Sequence, residues 1–186
     1  TYTASITYED VTASYDFTIE KATPKAEDFV FAAPTDLIYD GTAKPATITV
    51  KDGIVGMGEV NIIYFRDAGM WIDNEREPIY PGRYKVGIWI KEGDNYNAVY
   101  SNERIWLGDE FEIKYLTTDA KADISGTIGS NGWYTSDVTL TAPEGYQISK
   151  TKYNDGFESK LTISAEKDET ITYYLKDANG DVAEKT

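Results

Sequence analysis

The chain has 186 residues and a formal net charge of −14, and it contains neither cysteine nor histidine. Its excess of acidic residues argues against binding to nucleic acid and to anionic membranes, because both carry negative charges that the chain would repel. The missing residue types exclude disulfides and thiolate metal sites, and they remove the commonest general base and metal ligand.

Residues 1–21 carry a strand pattern that recurs later in the chain. Apolar and polar residues alternate along 2–8, an acidic turn follows, and a second arm lies at 15–19. The same outline recurs at 83–92. Alternation with a period of two is typical of a strand that buries one face. The repetition predicts that 1–21 is the terminal hairpin of a truncated preceding repeat, and that the chain is a slice of a tandem array.

The next segment, 22–108, predicts a complete β-sandwich module after a short linker. Turns rich in aspartate and glycine separate five candidate strands, at 28–31, 46–51, 59–66, 83–91 and 98–107. On the fourth of these strands the apolar side chains share one face, namely Tyr84, Val86, Ile88 and Ile90. Short alternating strands with frequent turns are typical of sandwich folds.

The last segment, 109–186, predicts a second module of the same class. Its six candidate strands lie at 111–116, 138–142, 147–153, 161–165, 170–175 and 181–185. No amphipathic helical period persists for three turns anywhere in the sequence. The predicted fold is therefore all-β, built from tandem immunoglobulin-like β-sandwich modules.

Three runs in the first module resemble the MBG-type (YDG-containing) repeats of large bacterial surface proteins: YDGTA at 39–43, PGRY at 81–84 and GDNYNA at 93–98. This resemblance extends over roughly the first 108 residues. The second module, through 131–138 and the turn at 177–180, resembles the bacterial immunoglobulin-like domains of the same kind of protein. These resemblances imply an extracellular, cell-wall-associated or secreted location and an adhesin or stalk role. They supply no set of binding residues.

Five residues of these runs also have a structural explanation. Gly41 permits the positive φ of a tight turn after Asp40. Gly82 places Tyr84 at the entry of a strand, where the ring packs and the hydroxyl bonds nearby backbone, as in the tyrosine corner of sandwiches. We therefore expect Tyr39, Asp40, Gly41, Gly82 and Tyr84 to stabilise the fold and to take no part in chemistry.

Catalysis has little support in the sequence. Neighbouring acids such as Glu92 with Asp94, or Glu75 with Glu77, lie in hydrophilic turns, whereas a glycosidase dyad needs two carboxyls across a cleft. The sequence contains no nucleophile elbow, phosphate-binding loop or metal-ligand cluster. We expect a non-enzymatic protein without a cofactor.

Calcium is the one ligand ion that a motif suggests. Asp177, Asn179 and Asp181 place oxygen-bearing side chains at alternate positions around Gly180, as the start of a calcium loop does. A strand pattern follows at the point where an EF-hand would continue into a helix. A hairpin turn with Asn-Gly at its tip explains the same residues and is favoured over a calcium site.

Three tryptophans are candidates for stacking against sugar rings: Trp89, Trp71 and Trp133. Trp89 alternates out of phase with the apolar residues of its strand, so it is predicted to lie on the opposite, more polar face. The alternative is that each ring covers its own sheet or caps an end of a sandwich. An internal Lys–Asn or Lys–Asp isopeptide crosslink is a further alternative, for which no particular lysine stands out.

The predicted function is a non-enzymatic stalk or spacer within a large extracellular, adhesin-like bacterial surface protein. The alternative is a carbohydrate- or mucin-binding module that uses exposed aromatic residues. The expected partners are neighbouring modules of the same chain and, in the alternative, glycans or host mucin. Neither nucleic acid nor direct membrane contact is expected.

Overall fold

The computed structural model describes residues 1–67, 76–153, 155–164 and 170–186, together with the backbone of 71–74. These residues form fourteen β-strands and one 3-10 turn, at Ala26–Asp28. The predicted all-β class is confirmed. No helix in the described part of the chain is both long and apolar enough to cross a bilayer. Tyr, Thr, Val and Ile favour strands because their side chains pack well on a pleated surface.

An antiparallel hairpin opens the chain. Strand β1 (Tyr2–Tyr8) pairs with strand β2 (Val11–Phe17) across a two-residue turn. The second arm begins at Val11, earlier than the predicted 15–19, because the pairing continues without a break up to the turn. Both strands are exposed along their whole length.

The linker after the hairpin is tied to the first module. The Ala22 N–H donates to the Asn95 carbonyl, and the Asn97 N–H donates to the Ala22 carbonyl, each over 2.9 Å. Lys21 adds an ion pair with Glu92. Glu92, considered above as half of a carboxyl pair, therefore takes part in anchoring the linker.

Two sheets form the first module. A two-stranded sheet of β3 (Phe29–Ala32) and β4 (Thr47–Val50) packs against a four-stranded sheet with the order β6-β5-β7-β8. The larger sheet consists of β5 (Val60–Asp67), β6 (Trp71–Asn74), β7 (Gly82–Ile90) and β8 (Ile105–Ile113). One buried cluster between the sheets contains Phe29, Ile88, Ile90, Val99 and Leu107. The apolar face predicted for 83–91 thus lies inside the module.

Strand β8 departs from the sequence prediction of separate strands at 98–107 and 111–116. It runs through Gly108 and pairs with β7 on both sides of that residue. Gly108 adopts a φ of +63°, and the pairing register shifts between Tyr84 and Val86, so the strand bends without ending. The point between 108 and 109 at which the sequence divides the two modules falls inside this strand.

Two three-stranded sheets form the second module. One has the order β12-β10-β9 and contains β9 (Asp123–Ser125), β10 (Val138–Thr141) and β12 (Lys160–Ile163). The other has the order β11-β13-β14 and contains β11 (Gln147–Ser149), β13 (Tyr173–Lys176) and β14 (Val182–Lys185). Buried side chains from both sheets, including Leu140, Ile148 and Leu175, form one core.

Candidate functional site

The contact between the two modules, here called the joint, is centred on Tyr39. This residue lies in the loop before β4 and is only 1% exposed. Its N–H donates to the Lys114 carbonyl over 2.8 Å, and its carbonyl accepts the Val182 N–H over 2.8 Å. Its hydroxyl donates to the Lys152 carbonyl over 2.7 Å. The first residue of the YDG run therefore uses its N–H to bond the residue that follows β8, and its carbonyl and hydroxyl to hold β14 and the loop after β11.

Further backbone bonds run through the joint. The Lys114 N–H donates to the Leu37 carbonyl over 2.9 Å, and the Leu116 N–H donates to the Val182 carbonyl over 2.7 Å. The Val182 side chain is fully buried in the same hydrophobic cluster as Tyr39, Tyr84 and other core residues of the first module. One apolar core thus continues from the first module into the second, and the connection between them is packed and hydrogen-bonded rather than a solvated linker.

Five aromatic rings, here called the tyrosine cluster, surround the joint. Edge-to-face contacts join Tyr39 with Tyr115 at 5.8 Å and Tyr80 with Tyr153 at 6.0 Å between ring centroids. Tilted contacts join Tyr115 with Tyr174 at 5.9 Å and Tyr39 with Tyr80 at 6.2 Å. Such pairs contribute about 0.5–1.5 kcal/mol each beyond the burial of their area.

Burial favours the neutral form of three phenols of this cluster, Tyr39, Tyr115 and Tyr174. It raises the pKa of Tyr39 to about 12, and it raises the pKa of Tyr115 and of Tyr174 above the ordinary value. A phenol that stays protonated donates a hydrogen bond and packs as an apolar ring. The tyrosine cluster therefore stabilises the contact between the modules at neutral pH.

An ion-pair cluster holds the YDG loop in place beside the joint. The Lys44 side chain is 5% exposed, and its Nζ lies 2.5 Å from Asp36 Oδ2 and 3.0 Å from Asp40 Oδ2. Asp40 Oδ1 accepts the Thr42 N–H and hydroxyl over 2.8 and 2.7 Å, and Gly41 adopts a φ of +82°. The Asp-Gly-Thr sequence thus closes a turn that positions Tyr39, as expected for a structural motif.

The charges of this cluster sustain one another. The hydrogen bond from Lys44 lowers the pKa of Asp36. Burial raises the pKa of Asp40, but hydrogen bonds from Thr42 and Lys44 outweigh it and the net change is a lowering. For Lys44, burial favours the neutral amine, yet the two carboxylates raise the pKa overall. All three groups therefore stay charged near neutral pH.

Tyr84 and Gly82 form the corner that the sequence predicts. The Tyr84 hydroxyl donates to the Tyr80 carbonyl over 2.7 Å, and its ring stacks on Phe111 with centroids 5.6 Å apart. Gly82 adopts a φ of +148° with the Arg66 side chain against its α-carbon, where a Cβ would meet Nε at 2.9 Å. These contacts fix the entry of β7 next to the joint.

Trp89 lies on β7 and is half-buried. It lines a shallow depression of about 380 Å³ together with Tyr100, Ser101 and Asn102. Tyr100 is 67% exposed. An aromatic pair flanked by a hydroxyl and an amide is a suitable surface for a sugar ring, which stacks one face and needs hydrogen-bond partners at its edge.

Trp133 is 58% exposed and lines a different kind of surface, an apolar groove of about 480 Å³ in the second module. The walls of this groove are mostly aliphatic and aromatic, and two lysines, Lys121 and Lys185, are among the lining residues. The side chain of Trp71 lies outside the described residues. Trp106, on β8, is 49% exposed and meets Phe65 edge-on at 5.0 Å.

The candidate calcium residues form a self-contained turn. Asp177 Oδ1 accepts the N–H groups of Asn179 and Asp181 over 2.9 and 3.0 Å, and Gly180 adopts a φ of +95°. Burial and the neighbouring carboxylates raise the pKa of Asp181. In the described part of the chain, no group of three or more acidic side chains is arranged to hold a metal ion. The geometry is that of the favoured hairpin turn, and its tip lies against Asp40 in the joint.

The joint itself is the feature that sequence reasoning missed. Its contacts join the 36–44 loop to residues near 115, 152 and 182, which are far apart in the chain. The one available signal was the density of tyrosine in these segments. Comparison of the chain with family models, with curated proteins and with solved structures found no match. The resemblance to MBG-type repeats therefore stays a prediction.

Proposed function

We propose that this chain is a stiff spacer, two β-modules docked end to end, within an extracellular bacterial surface protein. The observation that carries the proposal is the joint. Tyr39 is buried and hydrogen-bonded on three sides, and Val182 completes the core of the first module. A joint of this kind resists bending, because bending would expose apolar area and break buried hydrogen bonds.

Charge supports the same role. A net charge of −14 distributed along the chain opposes collapse onto itself and onto other acidic surfaces. We further propose that each module is an immunoglobulin-like sandwich, that the protein is not an enzyme, and that its lasting partners are neighbouring modules. The mechanism of a spacer is mechanical, so the residues that matter are those of the joint.

Thermal unfolding of the full chain tests the joint. Tyr39→Phe removes the hydroxyl and leaves the Lys152 carbonyl without its donor, at an expected cost of about 1 kcal/mol. Tyr100→Phe, on an exposed ring, is the matched control and is expected to leave the transition unchanged. We expect a single transition in the parent chain that moves down in Tyr39→Phe. Two well-separated transitions in the parent chain, with equal behaviour of both variants, would contradict the proposal.

The depression at Trp89 favours one second candidate, a glycan-binding function. Its exposed Tyr100 and flanking Ser101 and Asn102 suit a sugar ring better than the aliphatic walls around Trp133 do. Binding of the full chain to a panel of mucins and polysaccharides tests it, with Trp89→Ala as the variant and Trp133→Ala as the control. Saturable binding lost only in Trp89→Ala would support this function, and binding that survives Trp89→Ala would reject this site.

A further inference from the structure

We propose that the chain associates head to tail, with the tip of the N-terminal hairpin of one copy seated in the groove of the next copy. The two surfaces lie outside the joint, and the inference rests on the proposed docking of the modules only in that a docked joint keeps the two surfaces apart within one copy. Both surfaces are apolar, both are open, and they carry opposite charge.

The first surface is the hairpin face, defined by the apolar side chains that share one side of β1 and β2: Tyr2, Ala4, Ile6, Tyr8, Val11, Ala13, Tyr15 and Phe17. Every one of them is exposed, and Ile6 is 73% exposed. Nothing among the described residues covers this face. A two-stranded hairpin is at best marginally stable alone in water, so a partner that covers the face stabilises it.

The opposite side of the hairpin needs no partner. Its polar side chains bond one another across the strands, with Thr3 to Asp16 at 2.6 Å, Ser5 to Ser14 at 2.9 Å and Thr7 to Thr12 at 2.8 Å. The hairpin thus has one satisfied polar side and one open apolar side. An incoming surface is expected to contact the apolar side.

The tip of the hairpin is strained and charged. Glu9 and Asp10 form the two-residue turn between the paired residues Tyr8 and Val11. Glu9 has a φ of +51° and is the only non-glycine residue with a positive φ in the described part of the chain. Glycine is the usual first residue of a two-residue turn in which the first residue alone has a positive φ, and a side chain in this conformation costs about 1–2 kcal/mol. The tip therefore keeps two carboxylates at the expense of local stability, which points to a role in contact.

The second surface is the groove in the second module, with a volume of about 480 Å³. This volume is in the range of about 300–1,000 Å³ that is typical of binding pockets. Ile124 and Trp133 stand exposed at its walls, and Leu140 and Tyr173 lie at its base. An apolar groove of this size suits the protruding side chains of Tyr8 and Val11.

Charge complementarity selects the hairpin as the occupant. Residues 1–20 contain four acidic residues, Glu9, Asp10, Asp16 and Glu20, and no lysine or arginine. Among the described residues that line the groove, Lys121 and Lys185 carry positively charged side chains, and none is an aspartate or a glutamate. In a chain with 32 acidic and 18 basic residues, such a groove is set apart from the rest of the surface. Opposite charges steer two surfaces together and fix their orientation.

The positions of the two surfaces require a second copy. β13 begins at Tyr173 beside the groove and ends at the turn that lies against the joint, so the groove and the joint are at opposite ends of these strands. β7 begins at Gly82 beside the joint and ends near the Ala22 linker contacts, so the hairpin leaves from the far end of the first module. One copy therefore cannot fill its own groove. The contact is heterologous, so a copy whose hairpin is seated still has its own groove free for a further copy.

Sedimentation velocity of the full chain tests the proposal. The contact is small, so we expect weak association that appears between about 10 μM and about 1 mM and continues past the dimer as concentration rises. Charge reversal at either surface, Lys121→Glu or Glu9→Lys, is expected to weaken it on the order of tenfold. The matched controls Lys51→Glu and Glu103→Lys make the same charge changes at exposed positions elsewhere.

Mixing the two reversed variants gives the sharpest outcome. In a mixture of Lys121→Glu and Glu9→Lys chains, each hairpin meets a groove of opposite charge on the other variant, so association is expected to return. Trp133→Ala is expected to weaken association of the parent chain, with its thermal transition recorded to verify folding. A chain that stays monomeric up to about 1 mM would overturn the proposal and would favour a further module of a longer protein as the cover of the hairpin face. Equal behaviour of reversed variants and controls would overturn it as well.

Discussion

The hairpin and strand β7 carry the same alternation of apolar and polar residues, but the apolar side chains are exposed in the hairpin and buried in β7. Along β7, Tyr84, Val86, Ile88 and Ile90 are at most 1% exposed, whereas along β1, Tyr2, Ile6 and Tyr8 are between 57% and 77% exposed. The difference is a facing sheet: β3 and β4 cover β7, and nothing described covers β1. Alternation therefore tells which side of a strand is apolar, while burial depends on which neighbour packs against that side.

Truncating one isoleucine in each region tests this contrast directly. Ile88 is fully buried in the first module, so Ile88→Ala removes packed atoms and leaves a cavity. We expect it to lower the free energy of unfolding by about 2–5 kcal/mol. Ile6→Ala, on the open hairpin face, is expected to change it by about 0.5 kcal/mol or less. Urea denaturation of the full chain measures both, and similar losses would mean that the hairpin face is covered.

The ion-pair cluster offers the same comparison of buried with exposed residues for charged side chains, and its effect on stability depends on pH. The pKa values of Asp36 and Asp40 are lowered in the folded chain, so their protonation favours the unfolded chain. The stability that these two carboxylates give the folded chain is fully present above the ordinary aspartate pKa, near 4. It is lost as pH falls through the lower pKa values that the two groups have in the folded chain. Lys44→Met removes the cation from both pairs at an expected cost of about 2 kcal/mol at pH 7, between the costs for exposed and buried pairs.

Thermal melts from pH 7 to pH 2 check this prediction. The loss of stability below about pH 4 is expected to be shallower in Lys44→Met than in the parent chain. Lys51→Met, which removes an exposed lysine, is the control. Parallel acid limbs for the parent and Lys44→Met would show that the cluster does not couple folding to pH.

Tyr84 and Tyr2 lie at or near the start of β7 and β1, the two strands with the recurring pattern, and their substitution gives a smaller effect. Tyr84→Phe deletes the hydroxyl that donates to the Tyr80 carbonyl in a part-buried hydrogen bond, at an expected cost of about 1 kcal/mol. Tyr2→Phe, on an exposed ring that stacks on Phe17 at 5.8 Å, is expected to be neutral. Urea denaturation measures the free energy of unfolding of both variants, and a larger loss in Tyr2→Phe than in Tyr84→Phe would contradict this prediction.

The hairpin turn gives the smallest change in overall stability. Glu9→Gly relieves the positive φ at the tip and is expected to stabilise the hairpin locally by about 1 kcal/mol or less. Amide hydrogen exchange in β1 and β2 reports it, with exchange in β7 as an internal reference. Faster exchange in the hairpin of Glu9→Gly would show that the Glu9 side chain supports the turn.

The sequence pattern predicts those parts of the fold that depend on residues close together in the chain. Alternation located β7 and its buried face, and turn chemistry located the Asn-Gly hairpin between β13 and β14, because both depend on neighbours in sequence. The predicted strand at 98–107 was wrong over its first half, where Val99 forms only an isolated bridge with Ile90. Glycine at 108 resembles a strand end, yet its positive φ bends β8 and lets pairing continue.

The candidate sites depend on longer-range contacts and were less predictable. Alternation put Trp89 on the polar face of its strand, but the depression it forms with Tyr100 requires the 100–103 turn to fold back beside it. The role of Tyr39 as the centre of the joint has no local signal, because Val182 and Lys152 come from another module. The YDG run indicated a turn, but only the fold shows that this turn places Tyr39 in the joint.

The most direct test of a stiff joint is a distance distribution between spin labels in the two modules. The chain has no cysteine, so Thr49→Cys in β4 and Thr162→Cys in β12 provide two exposed, unique labelling sites. The reference pair, Thr49→Cys with Glu112→Cys, lies within the first module. The joint predicts a single distribution for the inter-module pair, no broader than that of the reference pair. A distribution several times broader, or one with two maxima, would contradict it.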